Sequence, residues 1–222
     1  MEGSGGLELR RTKRIWYPGA TYHVMSRGNR RTPIFREEED YLDFLQCLLL
    51  VRESFGLVVH SLCLMTNHFH IAMETRQKEL WKIMHRLLLT YATHYNRKYN
   101  LTGHLFESRY TAQLIEDERY FLEVSRYIHL NPVKARMVLE PAAYEYSSYE
   151  RFVQESGQAA IGPQKKFNEL ISELVETSRV LSCFRHNPQE QYRMFVEGKI
   201  SHVEQELLIQ RDMREDDMWL PW

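Results

Sequence analysis

The sequence predicts an α+β fold, an antiparallel sheet with helices packed on it in a split β-α-β arrangement. Three observations carry this. Short apolar or alternating stretches near residues 21–26, 57–65, 68–73 and 111–115 read as strands. Helical periodicity fills the intervals, over residues 37–56, 79–100 and 117–130. Only Thr66-Asn67 separates the second strand from the third, so the two form a hairpin, which forces them antiparallel.

Taken in order, residues 1–11 read as a flexible leader, residues 12–152 as the main domain, and residues 153–222 as a helical extension with an acidic tail. Arg10-Arg11-Thr12-Lys13-Arg14 is a basic cluster beside Trp16 and Tyr17. The first strand, Thr21 to Ser26, runs into Arg27-Gly28-Asn29-Arg30-Arg31, a glycine loop loaded with guanidinium groups suited to phosphate. Acids at 37–40 mark the first turn of a helix, and Gly56 is placed to cap its end. The helix over 79–100 carries Leu80, Ile83, Met84, Leu87 and Tyr91 toward the core, with Tyr95 and Tyr99 in core or rim positions. Asp117 is placed to cap the third helix, which is expected to end before Asn131-Pro132, because proline disfavours a helical residue before it, with Pro132 to Arg136 open to continuing as a second helical piece. Residues 141–152 read as an aromatic-rich irregular crossing, and residues 163–200 as helical.

Composition narrows the classes. Apolar residues make up 43% and charged residues 27%, and no apolar run approaches the roughly 20 residues of a membrane-spanning helix. With a polar N-terminal stretch, this predicts a cytoplasmic protein with no membrane partner. Cys47, Cys63 and Cys183 form no CxxC pair, so neither a disulfide framework nor a cysteine zinc site is expected. The net charge of −1 hides a +6 excess over residues 1–36 and a −4 excess over residues 201–222. A basic front end of this kind suits a polyanion.

The chemistry centres on Asn67-His68-Phe69-His70. On a strand, His68 and His70 share a face while Phe69 points to the core, and two imidazoles side by side can ligate a divalent metal. Downstream, Tyr127 and Asn131 are four residues apart and share a helical face. The phenol can be a nucleophile, and the carboxamide oxygen a third ligand to a hard metal. Tyr120 lies on nearly the same face and is a second candidate nucleophile; His60 reads as structural.

His68-Phe69-His70, Ser125-Arg126-Tyr127-Ile128-His129-Leu130-Asn131-Pro132-Val133-Lys134-Ala135, Tyr22-His23-Val24-Met25-Ser26-Arg27-Gly28-Asn29-Arg30 and Tyr144-Glu145-Tyr146-Ser147-Ser148-Tyr149 together resemble the single-strand-specific tyrosine transposases of the HUH class. REP-associated tyrosine transposases are the group they resemble most. The resemblance implies a ferredoxin-like sheet over roughly residues 12–152, Mg2+ or Mn2+ held by His68 and His70, and Tyr127 as nucleophile. Related transposases carry a glutamine where this chain has Asn131, one methylene shorter. The resemblance further implies cleavage and rejoining of single-stranded DNA near hairpin repeats through a 5′-phosphotyrosine. Arg10, Arg11, Lys13, Arg14, Arg27, Arg30, Arg31 and Arg109 are the expected DNA contacts, on a monomer or homodimer. The principal rival is a hairpin-binding protein that does not cut. A zinc deaminase is excluded because the sequence lacks a P-C-x-x-C motif.

Overall fold

The computed structural model describes residues 15–154 and 164–198. Four strands, β1 (Thr21–Arg27), β2 (Val58–Met65), β3 (His68–Glu74) and β4 (Thr111–Ile115), form one antiparallel sheet in the order β2-β3-β1-β4. Helix α1 (Glu38–Phe55) links β1 to β2, α2 (Leu80–Lys98) links β3 to β4, and α3 (Glu118–Lys134) follows β4. This is the ferredoxin-like β-α-β-β-α-β path, with its central strands from the two halves.

Alternation along each strand gives the sheet two different faces. Tyr22, Val24, Phe69, Ile71 and Met73 are almost wholly buried and belong to one core. On that side, Phe44 of α1 packs against Phe69 and against Tyr91 of α2, with ring centroids 4.9 and 5.1 Å apart. The opposite face carries His23, Met25 and Arg27 on β1, and His68, His70 and Ala72 on β3. Helix α3 lies over this second face, closest to β2 and β3. The expected strands and the Thr66-Asn67 turn are therefore all present.

Local signals explain the helix ends. Glu37 and Asp40 form a capping box at the start of α1, and Gly56 ends it at φ 67. Asp117 accepts a hydrogen bond from the Tyr120 amide at 2.7 Å. The expected end of α3 before Pro132 is corrected, since the helix runs on to Lys134. Proline costs most in a helix interior, where a full ladder of bonds continues on both sides. Here it sits in the last turn, and Ala135 N–H still returns to Asn131 O. The expected helix over 163–200 is likewise divided, into α5 (Gln164–Leu174), α6 (Ser178–Leu181) and α7 (Pro188–Glu197), after a short α4 (Tyr149–Val153). Pro188 explains the last start, because it fits the first helical position.

These C-terminal helices pack on the main body: α5 against α1, and α7 against α3 and α4. A buried polar chain joins them, in which the Tyr192 hydroxyl meets Ser125 Oγ at 2.7 Å and His129 Nδ1 at 2.6 Å. His129 Nε2 then meets Ser148 Oγ at 2.8 Å, and Ser148 Oγ accepts from Leu62 N–H of β2 at 2.9 Å. Cys47 and Cys63 are buried and Cys183 is exposed; all three are free thiols.

Asp40 is the least exposed carboxylate of α1. Burial raises its pKa, but Lys98, the Arg36 amide, Tyr99 and the Glu37 amide more than offset this, so it lies below its ordinary value. Its stabilising contribution is therefore present above the unfolded carboxylate pKa and lost as pH falls through the lower folded value. Asp40→Ala should cost about 2 kcal/mol in urea unfolding at pH 7, through the lost cap and ion pair, and clearly less at pH 3.

Candidate active site

Register builds the site. Met25 pairs with His70 and Arg27 with His68, so β1 supplies neighbours to the histidine strand on the same face. His23 Nε2 lies 3.0 Å from His70 Nδ1, with the rings stacked at 5.2 Å. Tyr127, on α3, meets both edge-on, with centroids 5.6 Å from His23 and 5.5 Å from His70. His68 stands edge-on to His70 at 5.0 Å. The structure thus brings together three of the expected residues, His68, His70 and Tyr127.

Burial keeps these imidazoles neutral. It lowers His23 to about 4, and together with the Arg27 charge it lowers His68 to about 4. His70 is lowered well below its ordinary value by burial first, then by His68, His23 and Lys134. A neutral imidazole has one lone pair to offer a metal, and the hydrogen bond on its other nitrogen decides which atom that is. Asn67 Oδ1 lies 2.7 Å from His68 Nδ1, which as donor leaves Nε2 of His68 with its lone pair. Donation from His70 Nδ1 to His23 likewise leaves Nε2 of His70 with its lone pair.

Asn131 follows Tyr127 by one helical turn. Its Nδ2 donates to the Tyr127 carbonyl at 2.8 Å, leaving Oδ1 as the atom able to reach a cation. Among the described residues, no group of three or more His, Cys, Asp or Glu can hold a metal by itself. Two neutral imidazoles and one carboxamide oxygen fit a hard divalent ion that fills its remaining positions with water and substrate oxygens.

The arginine loop sits at the same end of the sheet. Gly28 N–H donates to Asn67 O at 2.8 Å, and the chain turns through Asn29–Arg31 with Arg30 at φ 53 and Arg31 at φ 58. Gly28 is required by close approach, since a Cβ there would lie 2.1 Å from Thr32 O. Two consecutive non-glycine residues in the left-handed region are strained, and the surrounding contacts hold them. Asn67 Nδ2 donates to Arg31 O at 3.1 Å, while Tyr91 and Tyr95 hydroxyls donate to Ile34 O and Pro33 O. Arg30 and Arg31 are exposed. Arg27 faces Glu107 at 3.1 Å. Arg109 follows on the segment that pairs through Phe106 with Gly28, so it joins the same basic rim.

Other expected residues are placed elsewhere. Arg10, Arg11, Lys13 and Arg14 lie outside the described residues. Trp16 donates to Thr75 Oγ1, just past the far end of β3 from His68, so it is not beside the histidines. His60 meets Glu74, also at the far end, as a structural residue would. Tyr120 is in the first turn of α3, about 10 Å along the axis from Tyr127. Two residues missed by sequence reasoning complete the centre. His23 is brought in only by the β1–β3 register, and Lys134 places Nζ 4.2 Å from the Tyr127 ring centroid.

The fold and this grouping define a ferredoxin-like protein with a histidine pair facing a helical tyrosine. Residues 17–131, just over half of the chain, match the family described as transposase, IS200-like, and the chain belongs to that family. A solved REP-associated tyrosine transposase bound to a REP hairpin superposes with a TM-score of 0.57 at 15% identity, over 69% of this chain and 95% of that one. A crystallised transposase of Deinococcus radiodurans gives a TM-score of 0.38 at 18% identity, over 54% of this chain and 95% of that one. A tRNA(His) guanylyltransferase of Saccharomyces cerevisiae gives 0.40 at 9% identity, over 87% of this chain and 83% of that one. No curated protein matches. Among the described residues, no helix is long and apolar enough to cross a membrane.

The neutral histidines make stability depend on pH. Their folded pKa values lie below the ordinary 6.5, so the unfolded chain binds more protons as pH falls below that value. Stability should therefore drop from pH 6.5 toward pH 4, by up to about 1.4 kcal/mol per pH unit for each such histidine. Replacing His23 with Gln should flatten the profile measured by urea unfolding across that range.

Proposed function

We propose that this transposase-family chain cleaves and rejoins single-stranded DNA near hairpin repeats, through a 5′-phosphotyrosine on Tyr127. The observation that carries the reading is the edge-on contact of Tyr127 with His70 beside His68. A nucleophile, a pair of neutral nitrogen ligands and a basic rim converge at one end of the sheet.

The chain's own groups have separable tasks. His68 and His70 hold a divalent cation, Mg2+ or Mn2+, through Nε2, with Asn131 Oδ1 as the further protein donor. When bound, that ion draws charge from a nonbridging phosphate oxygen and orients the phosphate. Asn67 and His23 hold the two imidazoles in the ligating tautomer. Tyr127 Oη attacks phosphorus, the P–O3′ bond breaks, and the 3′ oxygen leaves as a hydroxyl. The phenolic proton is lost to solvent, and an equivalent proton is gained by the 3′ oxygen. Because the phosphoester bond is kept on tyrosine, a second 3′-hydroxyl can take the phosphate, which is what strand transfer needs. Arg27, Arg30, Arg31 and Arg109 hold the DNA backbone at the rim, together with the Arg10–Arg14 cluster. The DNA recognised is single-stranded or hairpin, as it is for the related protein whose structure holds a REP hairpin.

The test is incubation with a pooled library of single-stranded hairpin oligonucleotides and Mg2+, followed by a denaturing gel. A covalent protein–DNA band is expected from the wild type, and none from Tyr127→Phe, which should fold and bind DNA normally. An adduct mapped to Tyr120 in the Phe variant would overturn the choice of nucleophile. His68→Ala and His70→Ala should each abolish the adduct, as should a chelator; undiminished cleavage by His68→Ala with chelator present would remove the metal from the mechanism. Salt-sensitive hairpin binding with no adduct at all would reduce the chain to a binding protein.

Hairpin affinity should fall steeply with salt, because each neutralised phosphate releases counterions. Changing Arg30 and Arg31 together to Ala should lower the slope of log affinity against log salt by about 2. A slope unchanged in a filter-binding titration would take these two arginines off the DNA.

A further inference from the structure

We propose that Lys134 is a catalytic residue of this site, its ammonium contacting the scissile phosphate as charge passes between that phosphate and the Tyr127 oxygen. The inference rests on the strand-transfer reading above and assigns Lys134 a part in it.

The placement follows from the last turn of α3. Lys134 is seven residues after Tyr127, two helical turns on, and therefore on the same face. It reaches that place only because the helix continues through Pro132. Its Nζ stands 4.2 Å from the Tyr127 ring centroid and is buried, and its charge is felt at His70. The negative end of the α3 dipole favours a cation at this position. The group is thus held over the ring of the tyrosine whose oxygen becomes bonded to phosphorus.

The reaction places negative charge where that ammonium stands. Attack by Tyr127 Oη concentrates charge on the nonbridging oxygens, and the P–O3′ bond breaks. In rejoining, an incoming 3′ oxygen forms its bond to phosphorus and the P–Oη bond breaks, so the phenolate leaves with the electron pair. A fixed cation beside the ring stabilises both charge distributions without reorganising, and in a site closed to water such a contact is worth far more than at the surface. No proton passes to or from Lys134 in either step, so no further co-reactant is needed.

The experiment uses the full chain and the hairpin oligonucleotide most efficiently trapped by the wild type. The single-turnover rate of adduct formation is measured for Lys134→Met and Lys134→Arg, on the natural phosphodiester and on the same oligonucleotide with a methylphosphonate at the cleaved linkage. Lys134→Met should react about 10²- to 10³-fold more slowly on the phosphodiester, the usual loss for one preorganised donor, with hairpin affinity and unfolding midpoint near wild type. Lys134→Arg, which keeps the charge, should remain within about tenfold. On the uncharged linkage the Lys134→Met penalty should shrink to less than about tenfold, because the partner charge is gone. A purely structural role would give the same penalty on both oligonucleotides, and that result overturns the inference, as does a Lys134→Met rate equal to wild type. A wild type that forms no adduct overturns the strand-transfer reading and this inference with it.

Discussion

The structure depends on a sheet whose two faces are both covered, one by hydrocarbon and the other by a helix lying over imidazoles. Phe69 meets Phe44 of α1, and on the other face His70 meets Tyr127 of α3. Imidazoles under a helix are tolerable when they are uncharged and hydrogen-bonded. That holds for His68 with Asn67, for His70 with His23 and, on α3 itself, for His129 with Tyr192 and Ser148. The same requirement produces the chemistry, since neutral imidazoles held by one nitrogen present the other to a metal. Stability and ligand readiness are therefore two consequences of one arrangement.

Much of the fold was legible because it rests on local signals. Period-two alternation fixed which way His68, Phe69 and His70 point, and Gly56 and Asp117 marked helix ends through their own backbone and side-chain chemistry. What escaped was long-range or exceptional. His23 is 47 residues from His70, and nothing local in Tyr22-His23-Val24 distinguishes a site residue from a strand residue. Only the β1–β3 register identifies it. Lys134 fell in a stretch open only to a separate helical piece beyond Pro132; the structure makes it part of α3, because Pro132 lies in the final turn and Ala135 N–H still returns to Asn131 O. Asn131 itself was placed on the right face, but its amide nitrogen proved to be committed to the backbone. The basic loop was readable as a cluster of guanidinium groups; its left-handed backbone was not, since neither arginine advertises it.

Asn67 gives the basic rim a physical connection to the histidines. Both ends of its carboxamide are used, Nδ2 on the carbonyl of Arg31 and Oδ1 on Nδ1 of His68. Rotation of either partner costs the other its bond. The strained turn at Arg30 and Arg31 is thereby tied to the tautomer of His68, so the proposed phosphate-binding rim lies beside an imidazole already oriented. In sequence, Asn67 had the simpler meaning of a turn residue, which it also is.

The helices beyond residue 152 bear on the site through α3. Tyr192 of α7 shares its hydroxyl between Ser125 and His129, which flank Tyr127 two residues away on either side. His129 passes the connection to Ser148, and Ser148 to β2, next to the histidine strand. These groups are buried, so breaking any link leaves a polar atom without water to replace its partner, at about 1–3 kcal/mol. The rotation of α3 about its axis is therefore set from both sides, by the sheet below and by α7 behind it. A rotation of one residue would swing the Tyr127 ring about 100° off the imidazoles. On this argument the C-terminal helices belong to the machinery that aims the tyrosine, although no residue of theirs reaches the histidine pair.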